Sequence, residues 1–133
     1  MSGAVSVKVK EGRFKGKEVV FDAPARCFVG RARACQFQLL NPMVSRFHCL
    51  LDIDPPAIHI RDLGSRNGTF VNGELIGKRD PWHTSELAAL QEQHEITLHS
   101  GDKIALGDLI LEVGVRETPF EKASKELPPL PSL

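Results

Sequence analysis

Asp62-Leu63-Gly64-Ser65-Arg66-Asn67-Gly68-Thr69-Phe70-Val71-Asn72-Gly73 decides the fold class of this chain, because it sets an Asn-Gly pair on either side of a short Thr-Phe-Val run. Asparagine and glycine tolerate the left-handed backbone of tight turns, whereas β-branched and aromatic residues suit a pleated strand. Two such turns so close together, with Leu75 and Ile76 following, imply a β-hairpin. Upstream the same character continues: Val5, Val7 and Val9 alternate, then Val19 and Phe21, then Phe28 beside Val29, each run bounded by Gly, Pro or charged residues. Leu50, Ile53, Ile58 and Ile60 extend the pattern across Asp54-Pro55-Pro56-Ala57, a hairpin loop because proline cannot sit inside a central strand. Downstream, Glu95-Ile96-Thr97-Leu98, Lys103-Ile104-Ala105-Leu106 and Leu109-Ile110-Leu111-Glu112-Val113 read as strands, with Gly101-Asp102 and Gly107-Asp108 as turns. The expected fold is all-β, with sheet packed on sheet.

Two segments break this rhythm. Between Gly77 and His94, Asp80-Pro81-Trp82-His83 is loop-like, and Thr84-Ser85-Glu86-Leu87-Ala88-Ala89-Leu90-Gln91-Glu92 offers an N-cap followed by good helix formers. A short surface helix is expected there, with Trp82 either anchoring the insertion or meeting a partner. From about Glu117 the composition shifts toward Glu126-Leu127-Pro128-Pro129-Leu130-Pro131, which predicts one domain over 1–116 and an extended or disordered Pro-rich tail over 117–133. That tail reads as a linker or as a ligand for an aromatic-lined groove.

Composition narrows the function classes. The 133 residues suit a single core, and 41% hydrophobic with 26% charged residues is typical of a soluble globular protein. No apolar run approaches the roughly 20 residues of a membrane-spanning helix. Met1-Ser2-Gly3-Ala4 leads into neither a secretory leader nor a myristoylation pattern. Lys plus Arg and Asp plus Glu total 17 each, so net charge gives no attraction to nucleic acid or a membrane surface, and neither is expected as a partner. Cys27, Cys35 and Cys49 lack CxxC spacing and sit in or beside apolar stretches, as reduced core residues of a cytoplasmic protein would.

Catalytic and metal chemistry find no support. Asp52 and Asp54 form a D-x-D pair on one strand face, but the glycine and distant glutamate of a calcium loop are lacking. His59, His83, His94 and His99 show no zinc spacing, and neither a P-loop nor a G-x-S-x-G turn is present. No catalytic residue, metal site or cofactor is expected.

What remains is a set of anion donors in loops. Phe28-Val29-Gly30-Arg31 and Val44-Ser45-Arg46-Phe47-His48 join the opening stretch in placing Arg, Ser and Asn between strands. Arginine offers paired N–H donors to two phosphate oxygens at once. Ser45 adds a hydroxyl, Gly30 allows close backbone approach, and the Asn67 amide suits a peptide main chain. Taken singly, each has an ordinary explanation as a surface or turn residue; together, in loops that converge at one end of a sandwich, they point to one phosphate site.

The order Gly30-Arg31, Ser45-Arg46-Phe47-His48 and Leu63-Gly64-Ser65-Arg66-Asn67-Gly68-Thr69-Phe70-Val71-Asn72-Gly73 resembles the forkhead-associated (FHA) domain, with the later strand pattern carrying the likeness to about Val115. The resemblance implies a twisted β-sandwich of two mainly antiparallel sheets (FHA/SMAD-like), here with a short helix-containing insertion around residues 80–93, that binds phosphothreonine peptides and catalyses nothing. It implies that Arg31 and Ser45 contact the phosphate, that Arg46 supports it or adds a second positive charge, and that Asn67 bonds the peptide main chain. Arg66 falls where some members have a contacting residue, while Gly30, His48 and Gly68 hold the loops. The implied partner is a phosphothreonine-containing protein or peptide, and with it a Ser/Thr kinase or its substrate. The alternative is phospho-independent interaction or self-association through a degenerate sandwich. The chain departs from the family in its long 77–95 insertion, and Leu40-Asn41-Pro42-Met43 carries no arginine, which weakens any preference for an acidic third residue after the phosphothreonine.

Overall fold

The computed structural model describes residues 3–79 and 95–117. Within them the regular elements are strands: β1 (Gly3–Glu11), β2 (Glu18–Phe21), β3 (Ala25–Gly30), β4 (Phe37–Gln38), β5 (Cys49–Asp54), β6 (Ala57–Asp62), β7 (Thr69–Val71), β8 (Glu74–Gly77), β9 (Ile96–Thr97), β10 (Lys103–Leu106) and β11 (Leu109–Glu117). They form a six-stranded sheet in the order β2-β1-β11-β10-β7-β8 and a five-stranded sheet in the order β4-β3-β5-β6-β9. The ladders are antiparallel except β3 with β4. The expected helix over Thr84–Glu92, Trp82, and the Pro-rich tail beyond Glu117 lie outside the described residues.

Alternation explains the layering. Val5, Val7 and Val9 are fully buried while Lys8 and Lys10 are exposed, and they pair with Val115, Val113 and Leu111 on β11. In the facing sheet, Cys27 pairs with Leu51, Leu51 with Ile60, and Ile53 with Ile58. These inward rows merge in one core with Phe37, Leu39, Ile104, Leu106 and Leu109. A one-residue slip would turn a whole row to solvent, so burial fixes the register.

The two Asn-Gly pairs do different work. Asn72-Gly73 closes the β7–β8 hairpin with φ of 52° and 86°, the double left-handed turn that matches strand twist. Asn67-Gly68 instead lies in the β6–β7 connection, which passes from the five-stranded sheet to the six-stranded one. Strand β4 is a feature the periodicity reading lacks: its two residues are held by a parallel pairing to β3 and by the burial of Phe37, neither of which leaves a period-2 signal.

Antiparallel order brings the C-terminal ends of β3, β6 and β8 to the same end as the N-terminal ends of β5 and β7. The β10–β11 turn belongs to that end too, since Leu106 pairs with Thr69, and the Asn41 amide donates to the Asp108 carboxylate at 2.9 Å. The β4–β5 loop is thereby tied across the sandwich.

Candidate functional site

The site is built from loops whose backbones bond one another. At the end of β3, the Arg31 and Ala32 amides donate to the Ser45 and Arg46 carbonyls at 2.9 and 3.0 Å. This approach is why residue 30 is glycine: a Cβ there would lie 2.2 Å from the Arg46 carbonyl oxygen. Arg31 is steered by its Nε, which donates to the Val44 carbonyl at 3.0 Å, leaving both terminal nitrogens of the guanidinium without a protein partner among the described residues.

His48 holds the serine loop from below. It is fully buried, its Nδ1 accepts the Ser45 amide at 3.0 Å, and its Nε2 lies 2.9 Å from the Gly68 carbonyl. An Nδ1 that accepts places the proton on Nε2, so neutral imidazole donates to Gly68 and links the β4–β5 and β6–β7 loops. Burial lowers its pKa, against the opposing effects of the Gly68 carbonyl and the Asp62 charge. Because folded His48 resists a proton that the unfolded chain accepts below about pH 6.5, its stabilisation is full above that pH and drains away as pH falls through its lowered folded value. His48→Ala is expected to cost about 2–4 kcal/mol at pH 7 by stranding two backbone groups. Urea unfolding at several pH values checks this, and the variant should lose part of the parent's decline below pH 6.5.

A buried carboxylate organises the third loop. Asp62 ends β6 and is fully buried; its Oδ2 accepts the Gly64 and Ser65 amides at 2.8 and 2.9 Å. Its Oδ1 accepts the Ser65 and Thr69 hydroxyls at 2.5 and 2.6 Å. The Ser65 hydroxyl oxygen in turn accepts the Gly68 amide at 3.0 Å. Thus the loop carrying Arg66 and Asn67 is wound around Asp62. Outward, the Arg66 amide donates to the Ser45 hydroxyl oxygen at 2.9 Å, which leaves the Ser45 proton available, and the Asn67 amide donates to the Met43 carbonyl at 2.8 Å.

These loops enclose a pocket of about 330 Å³ whose lining includes Arg31, Ser45, Arg46, Phe47, Arg66 and Arg79. Four of the five residues expected to bind from sequence therefore meet in one concavity. Asn67 is exposed beside it and braces the β4–β5 loop instead of lining it. Sequence reasoning missed Arg79, Phe47 and Asp62. Arg79 lies in the stretch that breaks the strand rhythm, and only its amide bond to the Ser65 carbonyl, at 2.7 Å, brings it to the pocket. Phe47 is held edge-on to Phe28, with ring centroids 5.8 Å apart. Asp62 did carry a signal, since an aspartate just before a Gly-Ser turn commonly caps the following amides.

The cysteines sit apart from this chemistry. Cys27, Cys35 and Cys49 are free thiols in buried positions. Burial, aided by Cys35, pushes Cys27 up to about 11, and burial also raises Cys35 and Cys49, so none is a ready thiolate. Cys35 donates its S–H to the Arg46 carbonyl at 3.2 Å. Among the described residues, no cluster of His, Cys, Asp or Glu could hold a metal ion.

Comparison with known proteins fits this architecture. A structure from a study of phosphothreonine-dependent FHA domain interactions is 26% identical over 86% of this chain and 99% of its own, with a TM-score of 0.66. The FHA domain of the CT664 protein from Chlamydia trachomatis is 25% identical over 84% of this chain and 96% of its own, with a TM-score of 0.65. The FhaA FHA domain, solved complexed with the intracellular domain of Rv3910, is 28% identical over 82% of this chain and 98% of its own, with a TM-score of 0.62. Among curated proteins, Homo sapiens kanadaptin is 36% identical in a match covering 40% of this chain, which spans only 9% of that protein's length. The FHA domain family model matches residues 27–107, more than half of the chain, and this chain belongs to the FHA domain family.

Proposed function

We propose that this FHA domain binds protein segments carrying phosphothreonine, at the pocket bounded by Arg31, Ser45, Arg46 and Arg66. The observation that carries the reading is the convergence of those donors from three loops with no acidic residue on the lining. A phosphate monoester brings about −1.5 to −2 charges and three acceptor oxygens. The terminal nitrogens of Arg31, the Ser45 hydroxyl and Arg46 suit it, with Arg66 and Asn67 beside them for the peptide. Support comes also from the relative whose study concerns phosphothreonine-dependent FHA domain interactions.

The role is that of an interaction module, with residues 1–116 as the binding unit and 117–133 as a linker. Because a Ser/Thr kinase must create the phosphothreonine, a kinase or its substrate is the partner class we infer, in kinase-linked signalling. Three free, buried thiols suit a reducing, cytoplasmic setting, and the balanced charge suits neither nucleic acid nor membranes as partners.

Titration of the isotopically labelled protein with a phosphothreonine peptide, followed through backbone amide shifts, tests the location. The largest changes are expected at Arg31, Ser45, Arg46 and Arg66; changes centred on the outer face of either sheet would place binding elsewhere. Replacing phosphothreonine with phosphoserine in that peptide should weaken binding about fivefold, the worth of one methyl contact of roughly 1 kcal/mol.

A further inference from the structure

The outer face of the six-stranded sheet carries a charge pattern that the phosphate site does not use. Lys103 pairs across the ladder with Glu112, Glu112 with Lys8, and Lys8 with Glu18. Residues directly opposite share a face, and this row is on the solvent side, because the neighbours Ile104, Leu111, Val7 and Val19 turn to the core. Over β10, β11, β1 and β2 the sign therefore runs plus, minus, plus, minus. Glu112 holds intrachain ion pairs with Lys10 at 3.4 Å and Lys103 at 3.8 Å. Lys8 and Glu18 are exposed, and neither forms an ion pair among the described residues.

Next to this row, on the side away from the pocket, lie a knob and a hollow. Ser6 pairs with Gly114 on one side and with Val20 on the other. Val20 is 59% exposed, a large apolar side chain standing in solvent on the edge strand β2. Gly114 leaves its own place bare, and a Cβ there would lie 2.5 Å from the Ser6 hydroxyl oxygen. Gly114, Ser6, Ser100 and Val20 are among the residues that bound a trough of about 330 Å³.

A row that alternates in sign complements itself when a second copy is laid on it in reverse. Take a two-fold axis that runs along the strands, between β11 and β1. Lys103 of each copy then meets Glu18 of the other, and Lys8 meets Glu112, so that both contacts occur twice, as an isologous interface requires. The same rotation carries Val20 of each copy to the β10 side of the other copy's trough, over Ser100 and beside Gly114. A two-fold axis across the strands would instead set lysine on lysine and glutamate on glutamate, which is unfavourable.

We infer that this face is a self-association surface, on which two copies of the chain pack outer sheet to outer sheet across β10, β11, β1 and β2. Four strands at about 4.8 Å spacing make a patch roughly 20 Å on a side. That is below the ~800 Å² per partner of a standard interface, so the dimer is weak and depends on concentration. An axis along the strands turns both loop ends the same way. The two pockets then lie side by side, about 20 Å apart if the facing sheets are spaced ~10 Å like packed sheets generally, a display suited to a partner with two phosphothreonines. This last consequence rests on the phosphothreonine reading of the pocket; the dimer itself does not.

Sedimentation velocity of the full chain, with no peptide present, tests the inference. Monomer should give way to dimer between about 10 μM and 1 mM, and added salt should move the transition to higher concentration. Val20→Glu, Lys8→Glu and Glu112→Lys should each raise the dissociation constant about tenfold or more. All three positions face solvent, so thermal unfolding should stay close to the parent's. Equimolar mixing of Lys8→Glu with Glu112→Lys should restore a mixed dimer near parental affinity, because each introduced charge then meets its opposite across the axis. A chain that stays monomeric up to about 1 mM overturns the inference. So does a dimer that Val20→Glu and Lys8→Glu leave intact, or one that the mixture fails to restore, since its contact then lies on another face or in another register. None of these outcomes bears on phosphothreonine binding, which is read separately with peptide.

Discussion

Asp62→Ala is expected to be the most damaging single substitution in the domain, with a loss of about 3–5 kcal/mol in denaturant unfolding and no phosphopeptide binding in the fraction that stays folded. The reason is the number of donors that depend on one buried carboxylate: the Gly64 and Ser65 amides on one oxygen, the Ser65 and Thr69 hydroxyls on the other. Ser65 and Thr69 are themselves fully buried, so water cannot replace the lost acceptor without opening the structure. Strand β8 packs tightly on the same side chain, since a Cβ on Gly77 would lie 2.5 Å from the Asp62 Cβ. Such a loss would consume much of the 5–15 kcal/mol that typically separates folded from unfolded domains. Asp62→Asn keeps one acceptor oxygen and should fall between parent and alanine variant. The damage falls on the loop that presents Arg66, and for that reason binding and stability decline together.

Arg31→Ala should do the opposite, leaving stability almost unchanged while removing about 2–5 kcal/mol of phosphopeptide binding, roughly thirtyfold or more in affinity. Arg31 is only half-buried, and the one hydrogen bond its side chain makes among the described residues is the 3.0 Å contact from Nε to the Val44 carbonyl. Its folding contribution is small for that reason, and the same contact aims the terminal nitrogens into the pocket. Arg31→Lys retains the charge but loses both the Nε anchor and the paired donors, so it should recover only part of the affinity. Calorimetry with one phosphothreonine peptide, alongside thermal unfolding of each variant, separates the two effects. Parental affinity in Arg31→Ala would remove Arg31 from the site.

The contrast between these substitutions shows what the sequence reveals and what it conceals. The sheet-on-sheet core was legible because a period-2 row such as Val5, Val7 and Val9 has one physical outcome, and the Asn72-Gly73 turn was legible because both its residues need left-handed backbone. The Arg31, Ser45 and Arg46 side of the pocket was legible because Gly30-Arg31 and Ser45-Arg46 are local motifs. Arg79 was not, since its place depends on a backbone bond to Ser65 across the β7–β8 hairpin, a tertiary fact without a local pattern. Strand β4 was hidden for a related reason: two residues are too few to show a period. Asn67 lies between these cases. Its motif placed it at the site, and the fold then engaged its amide with the Met43 carbonyl, a bond that steadies the loop next to the pocket.

We propose that the pocket at the end of β3, β6 and β8 recognises phosphate on threonine. Calorimetric titration of the full chain with a phosphothreonine peptide and with its unphosphorylated twin, at one salt concentration and pH 7.5, tests it most directly. Saturable one-to-one binding of the phosphorylated peptide, with no measurable heat from the twin, is the predicted result; equal affinity for the two peptides would contradict it.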